Sequence, residues 1–303
     1  MSALPQEASS AIPGATLRPL SDVMGAEVIG LDLTRPFDAA TRDAVYAAFV
    51  RYHLLVFRDQ KLDKPQQIAF TEQFGTLEEH TARNRGDADY PLVHEVSNLG
   101  DDGKPTGVVN STLWHTDKSF RPKPSMATIL HAVILPPDGG DTVFANMIAA
   151  YAALPDDKKG ALAGARVIHS WELSRENVDR PLTAQEKRES PSMNHVLVRT
   201  HPDSGERCMF LGMHASHLDG LPLREGRARI EDLEAHATDA RFQYRHTWSP
   251  GDLLMWDNRC LLHHADPNFD AARHPRLMHR TCLRGTTPDG SVPFEIPAGF
   301  ANS

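Results

Sequence analysis

Apolar positions along this chain recur in two rhythms. Alternating or continuous apolar runs at 16–20, 26–33, 53–57, 126–134, 195–199, 208–211, 242–248, 252–256 and 277–283 read as strands. Helical spacing appears at 38–52, where Ala44, Val45, Ala48 and Phe49 recur, at 64–74, in pieces between 147 and 163, and at 224–238, where Ile230, Leu233 and Ala237 share a face. Pro65 falls in the first turn of its helix, where a missing N–H is harmless. Strands dominate the motif-bearing regions while helices cluster earlier. The expected fold class is therefore mainly β with helical decoration, a β-sandwich or a jelly roll (double-stranded β-helix).

Polar stretches punctuate this pattern. Residues 1–14 are small and polar and are expected to form a disordered tail ahead of a single domain over 15–303, since neither an internal repeat nor a mid-chain linker is present. The stretch 82–110, rich in Asp, Gly and Asn, reads as an exposed loop region able to close over a site. Residues 136–141 spell a sharp Pro-Pro-Asp-Gly-Gly-Asp turn. Residues 175–192 are strongly polar with two prolines and mark a second surface excursion or lid.

Composition narrows the function classes. The 303 residues suffice for one sizeable enzyme domain, and 40% hydrophobic with 24% charged residues is ordinary for a soluble protein. A formal net charge of −8 argues against general nucleic-acid binding, which needs a basic face. Cys208, Cys260 and Cys282 are dispersed and contain no CxxC pair, so neither a disulfide framework nor a zinc ribbon is indicated. No basic segment followed by an apolar stretch opens the chain, and no run of 18 apolar residues occurs. A cytoplasmic homo-oligomer without a membrane partner is expected.

The candidate chemistry lies in Leu113-Trp-His-Thr-Asp-Lys-Ser-Phe120 and Met255-Trp-Asp-Asn-Arg-Cys-Leu-Leu-His263. On an extended strand, residues i and i+2 point to one side, so His115 and Asp117 would leave the backbone together and His263 could complete a face. Such a 2-His-1-carboxylate set leaves coordination positions open, as non-haem Fe(II) requires when it binds a co-substrate and oxygen together. With 16 histidines in the chain, an H-x-D triplet also arises by chance on a surface strand. Here bulky Trp114 and Phe120 surround the polar pair, and burying it unpaired is costly; a metal would satisfy it.

Four ordered segments, Leu113-Trp-His-Thr-Asp117, Gly139-Gly-Asp-Thr142, Gly251-Asp-Leu-Leu-Met-Trp-Asp-Asn-Arg-Cys-Leu-Leu-His263 and Arg276-Leu-Met-His-Arg280, resemble the Fe(II)/2-oxoglutarate-dependent dioxygenases related to taurine dioxygenase and dichlorophenoxyacetate dioxygenase. The resemblance spans roughly residues 16–285. It implies Fe(II) held by His115, Asp117 and His263, with 2-oxoglutarate and O2 as co-substrates. It further implies that Arg276 pairs with the distal carboxylate of 2-oxoglutarate, that Thr142 donates a hydroxyl to it, and that Arg280 grips a substrate anion with help from His80. A planar, permanently charged guanidinium suits bidentate carboxylate binding. Read from residues alone, Thr142 is a turn residue, Arg280 a surface ion-pair partner and His80 a loop histidine.

Two positions depart from the taurine pattern. Ser111 stands where that enzyme has an asparagine contacting the substrate amine, and Arg83 where it has a tyrosine, so the amine-binding half of the pocket is lost. Segments around His195, His201, His214, His217 and His246 are closer to the dichlorophenoxyacetate branch, with His201, His214 and His217 expected as hydrogen-bonded core histidines rather than substrate contacts. The implied reaction hydroxylates a small anionic substrate, an aryloxyalkanoate or related carboxylate, with release of succinate and CO2. A sulfonate or sulfate ester dioxygenase of the same family is the alternative. From other classes, a zinc hydrolase and a non-catalytic jelly-roll binder of small acids compete; the former has no use for an Arg276/Thr142 anion site.

Overall fold

The computed structural model describes residues 11–79, 89–175 and 182–285. Its largest sheet has seven strands in the order Thr16–Pro19, Ala26–Ile29, Leu54–Phe57, Leu253–Asp257, Ala127–Ile134, Leu277–Leu283 and His94–Ser97. Ala26–Ile29 and Leu54–Phe57 run parallel, bridged in sequence by the helix Ala39–Tyr52; the other neighbours are antiparallel. A second sheet, ordered Gln243–His246, Thr142–Asn146, Leu261–Ala265, packs on it, with the Phe144 and Trp256 rings 5.4 Å apart, edge to face. This is the double-stranded β-helix expected.

The central strands read as unbroken apolar runs because both of their faces are buried. Leu54, Val56, Leu130, Leu254, Trp256 and Met278 point into the space between the sheets. Their neighbours Leu55, Phe57, Ile129, Leu253, Met255 and Leu283 form a second core on the opposite face, with Val45 and Phe49 of helix Ala39–Tyr52 and Phe70 of helix Lys64–Glu72. The period of two thus separates a helix-covered outer face from an inner face that can carry a site. The Asp38 carboxylate caps the first helix, accepting from Thr41 N–H at 2.7 Å, and Asp63 with Gln66 forms a capping box on the second, with Pro65 in its first turn.

Several expectations are corrected. His115 and Asp117 do not lie on a strand: His115 makes a single bridge to His263, and the chain then turns through Lys118 at φ 56°. The stretch 82–110 is not wholly loop, because His94–Ser97 pairs with Leu277–Leu283 and closes one edge of the large sheet. Thr142 begins a five-residue strand rather than ending a turn. Residues 195–199 are split, with Met193–Val196 pairing to Arg166–His169 and Val198–Thr200 to Arg207–Met209. The polar stretch 175–192 carries the short helix Ala184–Glu189. Most of the expected tail 1–14 lies outside the described residues, but Ile12 is buried in the outer core. No helix among the described residues is long and apolar enough to cross a membrane.

Candidate active site

The bridge between His115 and His263 brings the two imidazoles together although 148 residues separate them (263 − 115). Each backbone N–H donates to the other's carbonyl, at 2.9 and 2.8 Å, and the ring centroids stand 4.1 Å apart. The turn after His115 returns Asp117 to the same spot, so one ligand atom from each of the three buried side chains lies within 4.8 Å of the others. The geometry is therefore a face of two imidazoles and one carboxylate, reached by bridge and turn instead of by strand pleat.

The protonation states fit a metal. Burial pulls His115 below its ordinary range and His263 well below it, so both rings are neutral with a lone pair to offer. His115 Nδ1 sits 2.8 Å from the Leu113 carbonyl, which can only accept, so Nδ1 carries the hydrogen and Nε2 is free. Nδ1 of His263 is buried without a hydrogen-bond partner, and its Nε2 lies 4.0 Å from Asp117 Oδ2. Burial alone would raise the Asp117 carboxyl; Arg280, the two imidazoles and the Thr128 hydroxyl outweigh it and hold the group ionised.

A chain of hydrogen bonds from the large sheet orients that carboxylate. Trp256 Nε1–H donates to Asn258 Oδ1 at 3.1 Å, Asn258 Nδ2–H to Thr128 Oγ1 at 2.9 Å, and Thr128 O–H to Asp117 Oδ2 at 2.5 Å. Asn258 and Thr128 were not among the residues singled out by sequence. Asn258 had one signal, its place in the Trp-Asp-Asn-Arg run; Thr128 had none.

Arg276 and Thr142 line the same cavity as His115 and His263. The Arg276 guanidinium is buried, donates to the Gly140 carbonyl at 3.2 Å, and leaves Nε unpartnered; among the described residues no carboxylate is within salt-bridge distance. Burial brings it down to about 10, so it remains a cation in want of an anion. Thr142 accepts from Trp248 Nε1–H at 3.0 Å, which leaves its own hydrogen to give. The Gly139-Gly140 turn permits this packing. Both glycines have positive φ, a Cβ on Gly139 would stand 2.2 Å from the Asn268 carbonyl oxygen, and one on Gly140 would stand 3.2 Å from Arg276 Nε.

Arg280 also lines the cavity, and its Nη1 meets Asp117 Oδ1 at 3.2 Å. It is a partly buried partner of the proposed ligand, not an exposed surface ion pair. Ser111 stands at the rim in a left-handed conformation, φ 61°, its carbonyl accepting from Ala265 N–H. His80 and Arg83 lie outside the described residues. His264 turns away from His263 and packs edge to face on Trp114, 4.3 Å between centroids. His201 is a core histidine, 3.0 Å from Asp257 Oδ2, and His217 bonds Ser216. His214 is close enough to feel His115 and Asp117, yet its Nδ1 is engaged with the Ser174 hydroxyl at 3.0 Å. The rest of the wall is largely apolar, including Val96, Val108, Val109, Leu130 and Phe269, around a cavity of ≈ 630 Å³ that includes its open mouth.

Comparison with known proteins agrees with this arrangement. The family model described as "Taurine catabolism dioxygenase TauD, TfdA family" matches residues 16–282. The chain is 37% identical over 290 residues to the alpha-ketoglutarate-dependent 2,4-dichlorophenoxyacetate dioxygenase of Cupriavidus pinatubonensis, covering 90% of this chain and 98% of that one. It is 35% identical to the (S)-phenoxypropionate/alpha-ketoglutarate-dioxygenase of Sphingobium herbicidovorans, with 84% and 90% covered. Among solved structures, AAD-2 in complex with Mn(II) and N-oxalylglycine superposes with a TM-score of 0.81 at 36% identity, over 90% of this chain and 99% of that one.

Proposed function

The chain belongs to the TauD, TfdA family and is an Fe(II)- and 2-oxoglutarate-dependent dioxygenase; from that premise we propose that its substrate is an aryloxyalkanoate or a closely related carboxylate. The observation that carries this reading is the cavity itself, in which the buried guanidinium of Arg276 and the partly buried one of Arg280 open onto a largely apolar wall beside the 2-His-1-carboxylate face. Two cations ask for two anions, one on the co-substrate and one on a substrate whose remaining surface is apolar. The chemistry named for the dichlorophenoxyacetate and phenoxypropionate relatives has that form.

In this reading His115, Asp117 and His263 hold Fe(II), Arg276 and Thr142 hold the distal carboxylate of 2-oxoglutarate, and Arg280 takes the substrate carboxylate at a pocket bordered by Ser111. His80 is assigned to the substrate side by resemblance. The bound iron supplies the redox chemistry by which O2 and 2-oxoglutarate become succinate, CO2 and one oxygen atom inserted into a substrate C–H bond. The protein's own part is to place that bond. Val96, Val108, Val109, Leu130 and Phe269 exclude water from the apolar body, and Arg280 fixes its carboxylate end. Hydroxylation beside an ether oxygen gives a hemiacetal, which collapses to a phenol and an oxo acid.

Phenol release from 2,4-dichlorophenoxyacetate and sulfite release from taurine, measured at equal Fe(II) and 2-oxoglutarate, test the assignment. Phenol should dominate, because nothing at Ser111 replaces the amine-binding asparagine of the taurine enzyme. A preference for taurine refutes the substrate class while leaving the reaction class intact.

A further inference from the structure

We propose that Asn98 is a positioning residue that joins the Arg276 anion site to the Val108–Val109 wall of the substrate pocket in one hydrogen-bonded unit. The inference rests on the assignment of Arg276 to 2-oxoglutarate. Asn98 follows the edge strand His94–Ser97, is buried, and lines the cavity. Its Oδ1 accepts from Arg276 N–H at 2.8 Å, and its Nδ2 donates to the carbonyls of Ala271 at 2.8 Å and His274 at 2.9 Å. One acceptor facing an N–H and two donors facing carbonyls fix the amide's orientation without ambiguity.

The backbone of Asn98 extends the unit in the other direction. Its N–H donates to the Arg276 carbonyl at 3.3 Å, and its carbonyl accepts from both the N–H and the hydroxyl of Thr106 at 2.8 Å. Gly107 N–H donates to the Ala271 carbonyl, and Ser111 O accepts from Ala265 N–H. Residues 106–111 are thereby pinned at both ends, and between the pins Val108 and Val109 face the cavity. Arg276 stands one residue before the strand Leu277–Leu283, so Asn98 supplies the anchor that the sheet ladder does not.

A displacement of this anchor is carried out along the side chain to the guanidinium and, on the other side, to the wall. Removing the amide strands the Arg276 N–H and the His274 carbonyl and leaves the Ala271 carbonyl with Gly107 N–H alone, so the segment 271–276 must move to find partners.

The test compares four variants by calorimetric binding of 2-oxoglutarate to the Mn(II)-loaded protein, thermal midpoint, and KM for 2,4-dichlorophenoxyacetate. Asn98→Ala should weaken 2-oxoglutarate binding at least tenfold and raise the substrate KM. Thr106→Val, which removes only the wall-side hydroxyl, should raise the substrate KM at least threefold and leave 2-oxoglutarate binding within twofold. Gln73→Ala loses a comparable bond, from Phe37 N–H at 2.7 Å, far from the cavity. It should lower the thermal midpoint and leave both affinities unchanged, which separates positioning from plain stability. Arg276→Ala should abolish 2-oxoglutarate binding. If it does and Asn98→Ala binds within twofold of wild type, the positioning role is overturned alone; if Arg276→Ala binds normally, the anion-site reading falls and the role with it. Should Asn98→Ala not fold, an unchanged substrate KM in Thr106→Val overturns the coupling.

Discussion

The hydroxyl of Thr128 donates to Oδ2 of Asp117 at 2.5 Å, while Arg280 holds the other oxygen of the same carboxylate. Thr128 has a single hydrogen, and its lone pairs already receive Asn258 Nδ2–H, so the donation runs one way, from the sheet to the carboxylate proposed as a metal ligand. Thr128→Val keeps the shape and removes that donor. A hydrogen bond to a charged group contributes about 1.5–3 kcal/mol, and outer-shell partners of metal ligands commonly change affinity by about 10- to 100-fold. Titration of the metal-free protein with Co(II) should show a loss of that size in Thr128→Val. An unchanged Co(II) affinity would mean that the carboxylate needs no such support.

The two adjacent histidines of Leu261–Ala265 face opposite ways, which gives a sharp contrast. His263→Ala should abolish 2-oxoglutarate turnover and stoichiometric metal binding. His264→Ala loses an edge-to-face contact with Trp114, worth about 0.5–1.5 kcal/mol of stability, and should retain both. Metal analysis of the purified variants decides it; loss of metal in His264→Ala alone contradicts the ligand set.

In the proposed reading Arg280 serves two partners, Asp117 and the substrate carboxylate, and its variants should show both. On that reading Arg280→Ala should lose a charge-assisted contact to the substrate, about 2–5 kcal/mol or roughly 30- to several-thousand-fold in affinity, and it uncovers Oδ1 of Asp117. Its substrate KM should rise more than its KM for 2-oxoglutarate, with a smaller loss of Co(II) affinity. Arg280→Lys keeps the charge without the fork and should recover part of the metal affinity but little of the substrate KM. If only metal binding changes, Arg280 belongs to Asp117 and the substrate anion is held elsewhere.

What the sequence revealed follows from the range of the interactions involved. Leu54–Phe57 was legible because four consecutive buried apolar residues signal a two-faced strand, and the start of Lys64–Glu72 because Pro65 suits a first turn. His94–Ser97 was hidden, since its four half-buried residues show no apolar alternation and it is a strand only by pairing with Leu277–Leu283. Thr142–Asn146 was masked by the turn chemistry just before it. Within the site, the triad proposed to hold the metal and the two arginines carried recognisable motifs. Asn258 bonds Thr128 and Asn98 bonds Arg276 across 130 residues of sequence or more, and such bonds leave no mark on local spacing.

Stability should fall steeply below pH 6.5. Burial holds His53 near 4 and His195 and His214 near 3, so in the folded chain these rings stay neutral where free imidazoles protonate. Because the folded values are depressed, the stability they confer is full above about 6.5 and is lost as pH falls toward the folded values. At pH 5 each such ring favours the unfolded state by about 2 kcal/mol, since 1.5 units lie between that pH and the unfolded value. Glu234 opposes the trend. Burial, with Glu231 nearby, raises it to about 7, so its contribution is present below about 4.5 and lost as pH rises through about 7. One half-buried carboxyl is outweighed by three enclosed imidazoles, and the urea midpoint at pH 5 should lie well below that at pH 7.5. Glu234→Gln should be more stable than wild type at pH 8, with the difference vanishing toward pH 5. A midpoint that is flat between pH 7.5 and 5 would show that these histidines are protonated in the folded chain or reachable by water.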